Sequence, residues 1–340
     1  MRLATFLKFV LAFVVVATTV ANGANAANTA PFSLTFTTRN TLEPGQPEML
    51  EAFANAAQFS DTISFFWNWG DDNQVAAITT VVMLAQRMGF KVVINMSGNL
   101  GKLLPPGYQP TFADPAIAGK YINAVAYLAS LKPTYLNIYS EVNLLATYSP
   151  SEYSNYQKIY ANAYRTAKAA SPSTLIGTSY VDVLWVGKHQ QALTDQLSPH
   201  DFIGITSYPF NQFLQVSDIP GDWYSQWRTV YPNERLLFTE IGWSSAPAPL
   251  SPVQQALFVA ALPRLMQNVS PEVIAYVLQY DGPFNNIGDL TPAQWAFYEF
   301  FGADPVTLFD QFNHLGLFTA DGQPKPAWYA ARNLDFNVGR

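Results

Sequence analysis

The chain has 340 residues, a formal net charge of −6 and no cysteine. A negative balance leaves no basic footprint for nucleic acid, and the missing thiols exclude disulfides, thiolate nucleophiles and cysteine-ligated zinc. Charged residues make up 12% of the chain and aromatics 15%, so stability must come from a large buried core, which a chain of this length can build.

Arg2 and Lys8 precede or open an apolar run over residues 9–21, and Ala24-Asn25-Ala26 has the small-x-small pattern that signal peptidase cuts. The run is too short to span a bilayer comfortably. Residues 1–26 therefore read as a secretory signal peptide, and the product as extracellular or periplasmic, with no membrane span. From residue 27 to residue 340, short apolar or β-branched runs alternate with helical patterns. Strands are predicted over 32–38, 62–67, 91–96, 134–141, 174–180, 202–208, 235–240 and 273–279. Near-continuous apolarity marks parallel strands covered on both faces, and eight strand–helix units close into a (β/α)8 TIM barrel of the α/β class.

Three helix starts are legible. Ser149-Pro150-Ser151-Glu152, Ser251-Pro252-Val253-Gln254 and Thr291-Pro292-Ala293-Gln294 each join an N-cap hydroxyl, a proline at the first helical position and a capping-box Glu or Gln. After the first, Tyr153, Tyr156, Tyr160, Ala163 and Ala167 recur at helical spacing and predict a stripe packed on the barrel. No linker or low-complexity segment divides residues 27–340, which are expected to form one domain, acting as a monomer.

In such a barrel, catalytic groups sit at the C-terminal ends of the strands. Two glutamates close apolar strands there: Glu141 the fourth and Glu240 the seventh. A carboxylate in that position is costly unless it is paired or hydrogen-bonded, which makes chance placement unattractive. Asn95 near the end of the third strand is a candidate lining residue. Flat indole faces suit the C–H faces of pyranose rings, so Trp67 at the end of the second strand and Trp243 after Glu240 are candidate sugar-binding residues. Asp71, Asp72 and Asp281 stand beside glycines and read as turns. Glu152 reads as a cap, and Glu234, Glu272 and Glu299 as surface. His189, His200 and His314 lack metal-ligand spacing. No nucleophile elbow, phosphate loop or dinucleotide fingerprint occurs, so neither metal nor cofactor is expected.

Thr239-Glu240-Ile241-Gly242-Trp243-Ser244-Ser245 resembles the nucleophile segment of several families of clan A, the "4/7" retaining glycoside hydrolases. Phe202-Ile203-Gly204-Ile205-Thr206-Ser207-Tyr208-Pro209 resembles their sixth strand. The resemblance implies Glu141 as acid/base, Glu240 as nucleophile and Tyr208 as the tyrosine that touches the nucleophile. Ser140 stands where the clan carries the asparagine that holds the sugar 2-hydroxyl, and Gln279 or Tyr280 where it often carries tryptophan. The implied activity is retaining cleavage of a β-linked oligosaccharide or polysaccharide, with aromatic residues around the mouth suggesting endo action. Ser140 also prompts a rival reading, a carbohydrate-binding pseudoenzyme on the same barrel.

Overall fold

The computed structural model describes residues 31–39, 46–69, 75–97, 111–282, 292–300 and 302–336. The expected signal peptide, Asp71, Asp72 and Thr291 lie outside the described residues. The strands are β1 (Phe32–Thr35), β2 (Thr62–Asn68), β3 (Lys91–Ser97), β4 (Tyr135–Ser140), β5 (Leu175–Val181), β6 (Phe202–Ser207), β7 (Leu236–Ile241) and β8 (Val273–Tyr276). Each pairs in parallel with the next, and β8 pairs with β1, so the sheet is a closed barrel. All eight expected strands form. The first and last are shorter than expected because, past Tyr276, the backbone N–H groups of Gln279 and Tyr280 turn to the Thr37 side-chain oxygen instead of a strand partner.

Helices surround the barrel. They are α1 (Gln46–Ala56), α2 (Val75–Arg87), α3 (Pro115–Ser130), α4 (Val142–Tyr148), α5 (Pro150–Ala170), α6 (Asp182–Gly187) and α7 (Gln191–Asp195), followed by α8 (Ser225–Val230), α9 (Pro252–Met266), α10 (Pro292–Phe300), α11 (Pro305–Asn313) and α12 (Pro326–Arg332). The expected stripe on α5 is buried throughout, and Tyr121 of α3 meets it, its hydroxyl 3.1 Å from that of Tyr156. Ser251 caps α9 by accepting from the Gln254 N–H at 3.2 Å. Ser149 does not cap α5 in this way. Glu152 instead accepts from the Thr111 hydroxyl and the Phe112 N–H, both at 2.6 Å. Those donors lie in the segment leading to α3, so the carboxylate joins two helix starts rather than closing its own capping box.

The barrel interior has two levels. Val93, Tyr135, Phe202, Leu237, Val273 and Ala275 fill the lower one. Gly177 makes room for the Phe202 ring, since a Cβ there would lie 2.8 Å from it. Above stands a polar level. The Asn95 side-chain amide donates to Ser64 Oγ at 2.9 Å and to the Thr239 carbonyl at 3.0 Å. The Asn137 amide lies 3.2, 3.1 and 3.0 Å from Asn95 Oδ1, Ser179 Oγ and Ser140 Oγ. Strand alternation carries each strand from one level to the next.

Candidate active site

Register breaks set the direction of the key side chains. Along β6 and β7, Ile205 pairs with Phe238 but Thr206 pairs with Glu240, so β7 carries one extra residue. Leu237 faces the barrel interior, and plain alternation would then turn Glu240 towards the helices. The bulge re-aims it inward. A shift on β4 has the same effect: Asn95 pairs with Asn137 and Ser97 with Ser140. Tyr139 consequently packs outward on Tyr156 at a 4.8 Å ring separation, leaving Ser140 and Glu141 at the mouth. Glu141 has φ = 61°, a left-handed conformation that costs a non-glycine residue about 1 kcal/mol or more. Its N–H is held by Ser179 Oγ at 3.1 Å.

The two glutamates share one electrostatic environment. Glu240 is buried, and burial pushes its carboxyl up to about 7 against hydrogen bonds from Tyr208 and Ser140. The Tyr208 hydroxyl donates to Oε2 at 2.9 Å. Glu141 is held well above the usual carboxylate range by burial, then by the charges of Glu240 and Asp182. Its charge in turn helps burial raise Tyr298 of α10 to about 12.

Asp182, the residue after β5, was not singled out from the sequence. It is completely buried and accepts from Ser207 Oγ at 2.7 Å, Trp223 Nε1 at 2.9 Å and the Val183 N–H at 2.7 Å. Burial still pushes it up to about 6. Among the described residues no lysine, arginine or histidine forms an ion pair with Asp182, Glu141 or Glu240, and no group of His, Asp and Glu is placed to hold a metal ion.

Several expected roles change with the geometry. Trp243 is fully buried, its ring 5.4 Å from Phe258 and 6.2 Å from Phe210, and offers no face to a sugar. Trp67 is buried in the outer core. Its neighbour Phe66 pairs with inward-facing Asn95 and is exposed. Alternation therefore gives Phe66 the position at the mouth expected for Trp67. Asn95 lies completely buried beneath the mouth with both amide hydrogens engaged, so it supports the site from below. Ser140 accepts from Asn137 and directs its hydroxyl to the Glu240 carboxylate, leaving no donor for a sugar hydroxyl. Gln279 is buried with neither amide atom hydrogen-bonded. Asn143 is spent on Val181 and Gln190.

Asp281 does more than shape a turn. It forms a buried ion pair with Lys325 at 2.8 Å, and the same ammonium donates to Ser245 Oγ at 2.7 Å. That cluster fastens the segment behind Glu240. Gly242, in the same segment, leaves space for Tyr208: a Cβ there would sit 3.4 Å from its ring and 2.8 Å from the Val277 carbonyl.

No protein-family model matches the sequence, and the search of curated proteins returned no match. Solved structures do match. A GH5_18 variant from Streptomyces cattleya, in complex with Manb1-4GlcNAc, is 15% identical over 89% of this chain and 79% of that one, with a TM-score of 0.64. GH5_18 from Bifidobacterium longum subsp. longum ATCC 55813 is 15% identical over 89% and 78%, with a TM-score of 0.65. The exo-beta-1,4-mannosidase Op5Man5 from Opitutaceae bacterium strain TAV5 is 13% identical over 88% and 58%, with a TM-score of 0.64. The barrel is thus one shared with known glycoside hydrolases. At these identities the likeness establishes the fold.

Proposed function

We propose that the protein is a secreted retaining β-glycosidase acting on β-linked oligo- or polysaccharides, with Glu240 as nucleophile and Glu141 as acid/base. One observation carries the reading: two interacting glutamates at the ends of β4 and β7, with no cation paired to either among the described residues, of which Glu240 accepts hydrogen bonds from Tyr208 and Ser140 that favour its ionised form. In the first step a Glu240 oxygen bonds to the anomeric carbon, the bond to the leaving oxygen breaks, and Glu141 gives that oxygen its proton. In the second, water yields a proton to Glu141 while its oxygen displaces Glu240 from the same carbon. Opposite protonation states are needed at the start, and the hydroxyls of Tyr208 and Ser140 that donate to Glu240 support its ionised form.

A carbohydrate substrate is supported by the sugar complexes and glycosidase activities named for the structural neighbours. The Ser140 contact to Glu240 is compatible with catalysis, since it replaces a sugar-binding role with one that keeps the nucleophile ionised. With Trp67 and Trp243 buried, endo action rests on Phe66 and the remaining rim alone. Product analysis on a panel of β-linked mannans, glucans, galactans and xylans, alongside aryl glycosides, tests the proposal. Reducing ends released with net retention at the anomeric carbon are expected, and the product lengths separate endo from exo attack. Binding without any product would favour the pseudoenzyme reading and sink this one.

A further inference from the structure

Three carboxylates at one barrel mouth, with no cation paired to any of them among the described residues, is more negative charge than a glycosidase pair needs. Glu141 and Asp182 are joined through short covalent and hydrogen-bonded paths. The Glu141 N–H donates to Ser179 of β5 at 3.1 Å. Two residues on, Asn143 clamps Val181 through both its N–H, at 2.8 Å, and its carbonyl, at 3.0 Å. Asp182 is the next residue. On its other side it holds Ser207, the residue before Tyr208, and the Ser207 hydroxyl also lies 2.7 Å from that of Tyr224.

We propose that Asp182 is a positioning residue for the catalytic pair, a third carboxylate whose charge keeps the proton on Glu141 and whose hydrogen bonds anchor the strand end from which Tyr208 reaches Glu240. The inference rests on the reading of Glu141 as acid. It names a residue that touches neither sugar nor reacting atoms. The acidic groups coupled electrostatically to Glu141 are Glu240 from β7, Tyr208 at the end of β6, Tyr298 from α10 and Asp182 itself. The groups facing Asp182 are Ser207, Trp223 and the phenol of Tyr224. Every titratable group in both sets is acidic, so each one that ionises makes the next ionisation harder. Asp182 accepts three hydrogen bonds, from Ser207, Trp223 and the Val183 N–H, and each favours its charged form against the burial that raises it.

The test is Asp182→Asn, with Asp182→Ser as a second variant should the amide fit poorly against the Val183 N–H. In the purified protein, the alkaline limb of kcat/KM for an aryl glycoside with a poor leaving group should move down by roughly half to one pH unit. The acid limb, which reports Glu240, should stay in place. With a dinitrophenyl leaving group, which needs no protonation, the rate of glycosylation should fall no further than it does in Ser207→Ala. Ser207→Ala, which keeps the charge but breaks the anchor, should lower kcat without moving the alkaline limb. Carboxyl-carbon NMR titration of Glu141, assigned with Glu141→Gln, reads the same coupling without any turnover. A Glu141 titration that is identical in wild type and in a folded Asp182 variant overturns the proposal, whether or not the protein hydrolyses glycosides. An absence of activity with the NMR shift present would instead remove the glycosidase reading and leave the coupling standing.

Discussion

The two ends of the barrel treat charge in opposite ways. At the lower end Glu272 is answered by Arg235 at 2.7 Å, both partly exposed, and by the hydroxyl of buried Tyr135 at 2.8 Å. At the upper end Glu240, Glu141 and Asp182 stand in a buried site with no cation paired to them among the described residues. The same eight strands run between them. What differs is whether a carboxylate is left to carry an unfavourable charge, the condition under which the proposed reaction at the upper end becomes possible.

The largest effects should follow from breaking the upper end. Glu240→Ala should lower turnover of every substrate by roughly 10,000-fold or more, because the carbon–oxygen bond to the enzyme cannot form. Glu141→Ala should cost about 100- to 10,000-fold with poor leaving groups and far less with a nitrophenolate. Added azide should then restore its second step and yield a glycosyl azide of retained configuration. Rescue of Glu240→Ala instead, with inverted product, would exchange the two roles.

A second measurement sharpens the contrast through stability. Glu240 is raised from 4.5 to about 7 and Asp182 from 3.8 to about 6 on folding. Between those values the folded protein binds more protons than the unfolded chain, so stability is fully present at low pH and is lost as pH rises through the folded values. The melting temperature of Glu240→Gln should therefore gain on wild type as pH climbs from about 4 to about 8. A gap that stays constant across that range would show that Glu240 carries no such strain. Glu272→Gln at the other end should change stability by no more than about 1 kcal/mol, with turnover unchanged, since its pair is partly exposed.

The smallest effect concerns recognition. Phe66→Ala should raise KM about five-fold, the loss of about 1 kcal/mol of apolar contact, and Phe66→Trp should hold or improve it. Trp67→Ala should instead lower stability by about 3–5 kcal/mol, as for a large buried aromatic. Equal KM for wild type and Phe66→Ala on every substrate of a panel would remove Phe66 from the binding surface.

Much of this architecture was legible along the chain. Apolar runs and helix-start signals located eight strands, and the strand ends located Glu141, Glu240 and Tyr208, because backbone periodicity and burial are written in local composition. Side-chain direction was not legible to the same degree. Choosing Trp67 over Phe66 is an error of one residue, and in a strand one residue is the difference between the mouth and the outer core. Trp243 carried a plausible chemistry, but its neighbours Phe210 and Phe258, 33 and 15 residues away in sequence, enclose it. Asp182 gave no local sign of its role, since two of its three donors come from Ser207 and Trp223, further along the chain.

The sequence by itself therefore determined the barrel and the chemical type of the groups at its mouth, since both follow from which residues occupy the strands and their ends. Only the tertiary structure decided which way those groups point and how strongly they hold their protons. Glu240 faces the interior because β7 carries one more residue than β6 between paired positions. Its carboxyl is raised because distant segments close over it and exclude water. Register and desolvation are properties of strands brought together, and no single strand contains them.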